Sequence, residues 1–174
     1  VLMWSAAEVA EALDTTAVAV NSALQRAHTR IDEMGLSADD VAEPSETASR
    51  VMVERYVTAF ERADIAALTR LLTDDVVMEM PPIRNWFRGP ENYGLFIARS
   101  YSTRGLDWRM IPTTANGQPA VAAYVRAADG VYRIHTLQVF TLRPDGICHL
   151  TVFQDEAVFA IFQLPATVPD GRLP

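Results

Sequence analysis

Proton transfer would need an ionisable side chain held inside the fold, and few residues of this chain qualify. His135 is the best suited, with Asp155 or Glu79 as its partner, because imidazole titrates near neutrality. A hydrogen-bonded strand histidine with no chemical duty is the commoner case. Glu79 alternates with Met78 and Met80 and is expected to face solvent, and Asp155 and Glu156 read as charges closing the last strand. His28 and His149 have no neighbours in sequence that would give them a role. No His, Cys and Asp grouping has metal-ligand spacing and no glycine-rich phosphate loop occurs, so neither metal nor cofactor is expected. A second set, Tyr56, Phe60, Met80, Trp86, Phe96, Trp108, His135 and Gln138, has the mixture of a binding cavity, apolar walls with a few polar groups. An ordinary aromatic core is the equal alternative for these residues.

The elements that must position these groups follow from periodicity. Ser5 and Glu8 form a Ser-x-x-Glu capping box, with Trp4 and Val9 placed as a hydrophobic staple, and a helix from about 6 to 12 is expected. Leu13-Asp14-Thr15 breaks it, and Thr15 is placed to cap a second helix. There Val20, Leu24, Ala27 and Ile31 share one face, leaving Asn21, Ser22, Gln25 and His28 pointing away from it. The two helices read as most of a helix-turn-helix. Residues 33–47 are acidic, weakly apolar and interrupted by Gly35 and Pro44, which makes them the linker candidate.

Beyond the linker, Met52, Tyr56 and Phe60 line an amphipathic helix and Asp64 caps a shorter one. Val76 to Met80 alternates as a strand ended by Pro81-Pro82, and Gly89-Pro90 opens a further helix. Asn116-Gly117, Asp129-Gly130 and Pro144-Asp145-Gly146 are hairpin signals dividing strands near 107–115, 119–127, 131–142 and 147–156. The reading is an α+β chain in which a strongly curved antiparallel sheet wraps helices into a cone-shaped barrel.

Composition narrows the function classes. With 49% hydrophobic residues in 174, a sizeable core can be buried. The net charge of −7 argues against a protein that coats nucleic acid or binds anionic membranes. All 15 basic residues are Arg, a usage that a GC-rich genome explains without reference to function. Cys148 stands alone, so no intrachain disulfide forms and a cytoplasmic location fits. No apolar run approaches the ~20 residues of a membrane span. No secretory leader is recognisable, and because the sequence opens at Val1 without a Met, a longer parent protein is expected.

The run Trp4-Ser5-Ala6-Ala7-Glu8-Val9-Ala10-Glu11 together with Val20-Asn21-Ser22-Ala23-Leu24-Gln25-Arg26-Ala27 resembles region 4 of ECF-group, sigma-70-family RNA polymerase sigma factors. That family's preceding helix and its region 2 have no counterpart here. Arg55-Tyr56-Val57, the run from Leu71 to Val76, and Trp86-Phe87-Arg88-Gly89 are similar to the SnoaL-like family of the nuclear transport factor 2-like cone fold. In this order the two look like ECF sigma factors that carry a SnoaL-like extension, an impression to which Phe162-Gln163-Leu164-Pro165 adds. The domain reading is a partial region 4 over 1–32, a linker over 33–47, a SnoaL-like cone over 48–165 and a tail over 166–174.

The resemblance implies that the second helix reads the promoter −35 element through Asn21, Ser22, Gln25 and Arg26, with Thr16 and Ala19 near the helix start. The side chains suit base recognition, since Asn and Gln pair with adenine edges and Arg with guanine. Residues 1–32 hold Arg26 and Arg30 against Glu8, Glu11, Asp14 and Asp32, so the hold on phosphate has to come from the core polymerase. In the cone fold's isomerases an Arg-Tyr pair supplies an oxyanion donor, which Arg55-Tyr56 matches. Their general base is an Asp just before a Pro, where this chain has Met80, and a thioether accepts no proton near neutral pH. A second, protonated acid of those enzymes aligns with Gln138, which donates hydrogen bonds but shuttles no proton. The expectation is a non-catalytic regulator of transcription initiation, with promoter DNA, core polymerase, the other sigma modules and a small apolar ligand as partners. A small isomerase or cyclase is the alternative.

Overall fold

The computed structural model describes residues 4–33 and 45–169. The chain divides into two compact units, Val1–Ala42 and Glu43–Pro174. Residues 34–44, which make up most of the expected linker, lie outside the described residues.

In the first unit α1 (Ala6–Ala12) and α2 (Ala17–Glu33) form a helical pair. The capping box is present: the Ser5 amide donates to Glu8 Oε2 at 2.6 Å and the Glu8 amide donates to Ser5 Oγ at 3.3 Å. α1 ends on a left-handed residue, Asp14 at φ 49. The Thr15 amide then reaches back to the Ala10 carbonyl at 2.9 Å, and the Asp14 amide to Glu11 at 3.3 Å, which closes the helix end. Thr16, not Thr15, caps α2, its Oγ1 accepting from the Ala19 amide at 3.2 Å. Thr15 is instead taken up in closing α1. Ala10 and Val20 are buried, whereas Leu24 is 50% and Ile31 46% exposed. A seven-residue helix is too short to cover a stripe four turns long, and Trp4 at 53% exposure is a loose staple.

In the second unit α3 (Glu46–Glu61), α4 (Ile65–Thr69) and α5 (Pro90–Arg104) lie against a seven-stranded sheet. Ser45 caps α3 and Asp64 caps α4 through the Ala48 and Ala67 amides. The strands are β1 (Leu72–Met80), β2 (Ile83–Arg88), β3 (Trp108–Ala115), β4 (Gln118–Arg126), β5 (Tyr132–Arg143) and β6 (Gly146–Phe153), followed by α6 (Glu156–Ile161) and β7 (Thr167–Val168). Their spatial order is β2-β1-β6-β5-β4-β3, with β7 paired to the start of β5.

Several expectations change at this level. The sheet is mixed, because β1 runs parallel to β6 after a crossover through the whole meander. Residues 83–88 form strand β2, although four of the six are charged, amide or exposed aromatic side chains and carry no alternation signal. Thr167 and Val168, read as tail, add a short strand. The last strand stops at Phe153, and Asp155 caps α6 through the Ala157 amide at 2.8 Å, so it does not act as an edge charge. The β5–β6 turn needs glycine at 146, where a Cβ would stand 2.8 Å from the Leu71 carbonyl oxygen. That close approach lets the Ile147 amide donate to Leu71 at 2.8 Å and ties β6 to the start of β1.

The main core sits between α3, α4, α5 and the inner sheet face. Phe60 meets Tyr101 and Trp108 edge-on, with centroids 5.4 and 5.5 Å away, and the Tyr101 hydroxyl donates to the Phe60 carbonyl at 2.8 Å. Glu61 at the end of α3 accepts from the Met110 amide at 2.9 Å, which fixes α3 to β3.

Candidate functional site

A cavity of about 40 Å³ opens between α3, α5 and the inner face of β1, β5 and β6. Of the expected lining, Tyr56, Phe60, Met80, Phe96, Trp108, His135 and Gln138 surround it. Trp86 does not. It is 66% exposed and lies on the outer sheet face beside Glu79, Arg88 and His149, because β2 extends the sheet past β1 and turns that ring away from the helices. Residues that the sequence did not single out complete the walls: Met78 on β1, Tyr93, Ile97 and Ser100 on α5, Thr136 on β5, and Val152 and Gln154 around the end of β6. Met78 was legible as the partner of Met80 two residues on, and Tyr93 and Ser100 as the turns before and after Phe96.

His135 reaches the cavity through a backbone irregularity. The β4–β5 register runs Ala123 to Thr136 and then Tyr124 to Ile134, so His135 is the extra residue of a β-bulge. In a regular strand His135 and Thr136 would point to opposite faces; the bulge re-aims them so that both line the cavity. The Trp108 ring meets His135 edge-on at 5.4 Å, and Gln154 Nε2 lies 3.3 Å from His135 Nε2. Burial first, and then the positive charge of Arg104, lowers the proton affinity of His135 below the ordinary histidine range, so the neutral ring is favoured. The partners expected for His135 are elsewhere. Glu79 accepts from Thr151 at 3.3 Å and pairs with His149 Nε2 at 3.1 Å on the outer sheet face, which also gives His149 a neighbour. Asp155 is occupied as a helix cap.

A hydrogen-bonded chain fills the deep end. The Tyr56 hydroxyl donates to Gln138 Oε1 at 2.7 Å and stands 2.8 Å from the Tyr93 hydroxyl. Because the single Tyr56 hydrogen goes to Gln138, Tyr93 must donate to Tyr56. Gln138 Nε2 in turn donates to Thr136 Oγ1 at 3.2 Å. Burial, the largest cause, raises the Tyr56 hydroxyl well above the phenol range, and it raises Tyr93 as well, so both remain neutral. Met80, 5% exposed, lines the same cavity and offers a thioether that accepts no proton near neutral pH. The arrangement orients hydrogen-bond donors inside an apolar chamber, and the imidazole at its wall is held neutral. Among the described residues no group of three or more His, Cys, Asp or Glu could hold a metal ion.

On the helical pair, Asn21, Gln25 and Arg26 are exposed, as is Ala19, while Ser22 is half-buried. Ser22, Gln25 and Arg26 share one side of α2 with Thr29, Arg30 and Glu33. The Thr16 hydroxyl is engaged in capping. Among the described residues no helix is long and apolar enough to cross a membrane.

The SnoaL-like domain family matches residues 53–159. The chain is 39% identical over 169 residues to the ECF RNA polymerase sigma factor SigG of Mycobacterium tuberculosis, in both the CDC 1551 / Oshkosh and H37Rv strains. That match covers 95% of this chain and 45% of the relative, so the chain spans about half the length of those proteins. Among solved structures, the extracytoplasmic function sigma factor SigJ of M. tuberculosis superposes with a TM-score of 0.56 at 22% identity, covering 93% of this chain and 57% of SigJ. A de novo designed protein with a curved β-sheet gives 0.53 at 17% identity, over 69% of this chain and 95% of the design. An LEH-like epoxide hydrolase of M. tuberculosis gives 0.50 at 18% identity, over 69% of this chain and 90% of the hydrolase. At these identities the structural likenesses show the fold alone.

Proposed function

We propose a function from the premise that this chain belongs to the SnoaL-like domain family over residues 53–159. The chain is the C-terminal part of an ECF-type sigma factor. Its helical pair reads the promoter −35 element through Asn21, Ser22, Gln25 and Arg26, with Thr16 and Ala19 at the start of α2. The cone domain is a non-catalytic regulatory module that biases the other sigma modules or the core polymerase, with a small apolar ligand as its input. Action on a promoter places the protein in the cytoplasm. The domain scheme that goes with this reading is a partial region 4 over 1–32, a linker over 33–47 and a cone from 48.

The observation that carries the proposal is the extent of the likeness to SigG. It covers 95% of the chain, so it takes in the helical pair as well as the cone domain, whereas a stand-alone cone enzyme would match over the cone only. The cavity chemistry supports the non-catalytic half. Met80 offers no base, and the Tyr56 hydrogen is committed to Gln138. The isomerase or cyclase reading retains one favourable observation, the presence of His135 in the cavity, but a lone neutral imidazole lacks the second ionisable group such chemistry needs.

Promoter-dependent transcription by the full-length protein with core polymerase tests both halves. Asn21→Ala and Arg26→Ala are expected to lower transcription from the cognate promoter, and deletion of residues 48–174 is expected to alter its level or control. Unchanged promoter choice in the point variants overturns the DNA assignment, and unchanged transcription in the deletion overturns the regulatory one.

A further inference from the structure

Arg55 is the half of the Arg55-Tyr56 pair that the cavity does not use. Tyr56 is buried against the cavity, whereas Arg55 is exposed on the outer side of α3 and lines an open groove between α3 and α4 with Arg62 and Arg70. The chain holds 22 acidic residues against 15 arginines, so carboxylates are in excess. Arg126, Arg133 and Arg143 each pair with an aspartate. The side chains of Arg55, Arg62 and Arg70 form no ion pair or hydrogen bond with any described residue. The two carboxylates bordering the groove are engaged elsewhere: Glu54 lies 3.9 Å from Arg50, and Asp64 caps α4 through the Ala67 amide at 2.8 Å. Arg62 and Arg70 stand at the C-caps of α3 and α4, where the helix dipole favours a cation. Arg55 lies about two turns before its helix end and is outside the reach of that effect.

The arginines share the groove with apolar groups. Ala59 and Ala67 form a floor without bulk, and Val51 and Leu71 border it. Exposed guanidinia hold an anion weakly, because water and salt screen each pair. A bare anion uses the arginines and leaves the apolar floor wet, and a nucleic-acid duplex offers rows of phosphates with no apolar face. A segment with carboxylates beside an apolar stripe uses both. Its backbone has to be satisfied as well. The amides and carbonyls of α3 and α4 are spent within those helices, so an extended segment gains no backbone bond from the groove, whereas a helix satisfies its own. Arg55 and Arg62 are two turns apart on α3, about 10 Å along its axis, so carboxylates two turns apart on a helix lying alongside reach both.

We infer that the α3–α4 groove is a docking surface for an acidic amphipathic helix of another protein, with its carboxylates on Arg55, Arg62 and Arg70 and its apolar stripe on Ala59 and Ala67. The groove is on the side of α3 turned away from the cavity, so this surface is separate from both the cavity and the helical pair.

The probe is a capped synthetic helix of about fifteen residues, built of alanine, leucine and glutamate with the glutamates flanking a leucine stripe, titrated into the whole chain and followed by NMR. It is expected to shift the backbone amides of Arg55, Thr58, Ala67 and Arg70. Arg55→Gln and Arg62→Gln together are expected to weaken binding about tenfold. They are expected to leave the melting temperature near that of the parent chain, because both side chains are exposed. A scrambled peptide of the same composition is expected to bind more weakly, and a version with lysine in place of glutamate not to bind. The inference is overturned if the acidic peptide leaves those amides unmoved, if the scrambled peptide or the double variant binds as the original pair does, or if tripolyphosphate or a DNA duplex shifts the same amides at lower concentration, which marks a phosphate site. Neither promoter activity nor the cavity enters this titration, so its failure leaves the proposed function untouched and a failed promoter assay leaves the docking surface untouched.

Discussion

Tyr56 and Gln138, on α3 and β5, meet through a hydrogen bond of 2.7 Å in which the phenol donates to the amide oxygen. That bond joins the first helix of the cone to the middle of its sheet, and it uses the hydrogen that an oxyanion-binding tyrosine would need to keep for a substrate. A position that resembles a catalytic donor in sequence is thereby converted into a structural tie.

Removing that hydroxyl should cost stability. Tyr56→Phe deprives both Gln138 Oε1 and Tyr93 of a partner in a site that excludes water, and a loss of about 1–3 kcal/mol is expected. Tyr93→Phe removes one donated bond and should cost less. Denaturant titration of the two variants measures both, and midpoints unchanged from the parent chain would show that the chain of bonds contributes nothing.

The pH dependence of folding should carry the mark of His135. Its folded-state proton affinity is lowered by burial and by Arg104, so the unfolded chain binds the proton more readily. Stability therefore rises with pH up to roughly the unfolded value of about 6.5 and falls below it as the imidazole is forced to charge. His135→Gln is expected to flatten the curve between about pH 5 and 7. Asp107 acts in a lower window. The Tyr132 hydroxyl first and then Arg126 hold its carboxyl below the usual range, so that contribution is lost only as pH falls beneath about 4. Identical curves for His135→Gln and the parent chain between about pH 5 and 7 would refute the assignment.

Gln163 closes α6 in the left-handed region at φ 53 and is exposed. A residue with a Cβ is disfavoured there by about 1–2 kcal/mol, part of which glycine returns as unfolded-state entropy. Gln163→Gly should raise stability by up to about 1 kcal/mol, read as an upward shift in melting temperature.

Placing a carboxylate at position 80 should not create isomerase chemistry. Met80→Asp places an acid among Met78, Phe96 and Val152, at a cost of about 3 kcal/mol or more. The Tyr56 hydrogen remains on Gln138, so isomerisation of a β,γ-unsaturated cyclic ketone is expected to stay at the uncatalysed rate. A measurable turnover would revive the isomerase reading.

The order of helices and of the meander strands was legible because its signals are local: Asp64, Ser5 and Gly89-Pro90 mark helix starts, and the three turn pairs divide the strands. The cavity was legible in part, since Tyr56, Phe60 and Phe96 sit on the apolar faces of their helices. What escaped depends on long-range pairing. His135 and Gln138 are three apart and cannot share a face of a regular strand, and no local feature announces the bulge that lets both face inward. Trp86 looked like a wall residue because aromatic size is readable, whereas the edge position of β2 is set by pairing with β1. The parallel contact of β1 with β6 joins residues far apart in the chain, such as Val77 and His149, and leaves no periodic trace.

That parallel contact orders events on the ribosome. β1 is an inner strand of the finished sheet, yet its partner β6 is among the last segments to be synthesised. While the chain is being made, the β1–β2 hairpin carries Met78 and Met80 on its inner face, and its β1 edge stays unpaired until Phe153 has left the exit tunnel. The cone can therefore close only after nearly all of its chain has emerged, and truncations ending before Phe153 should yield hairpins that aggregate, with no smaller cone among the products.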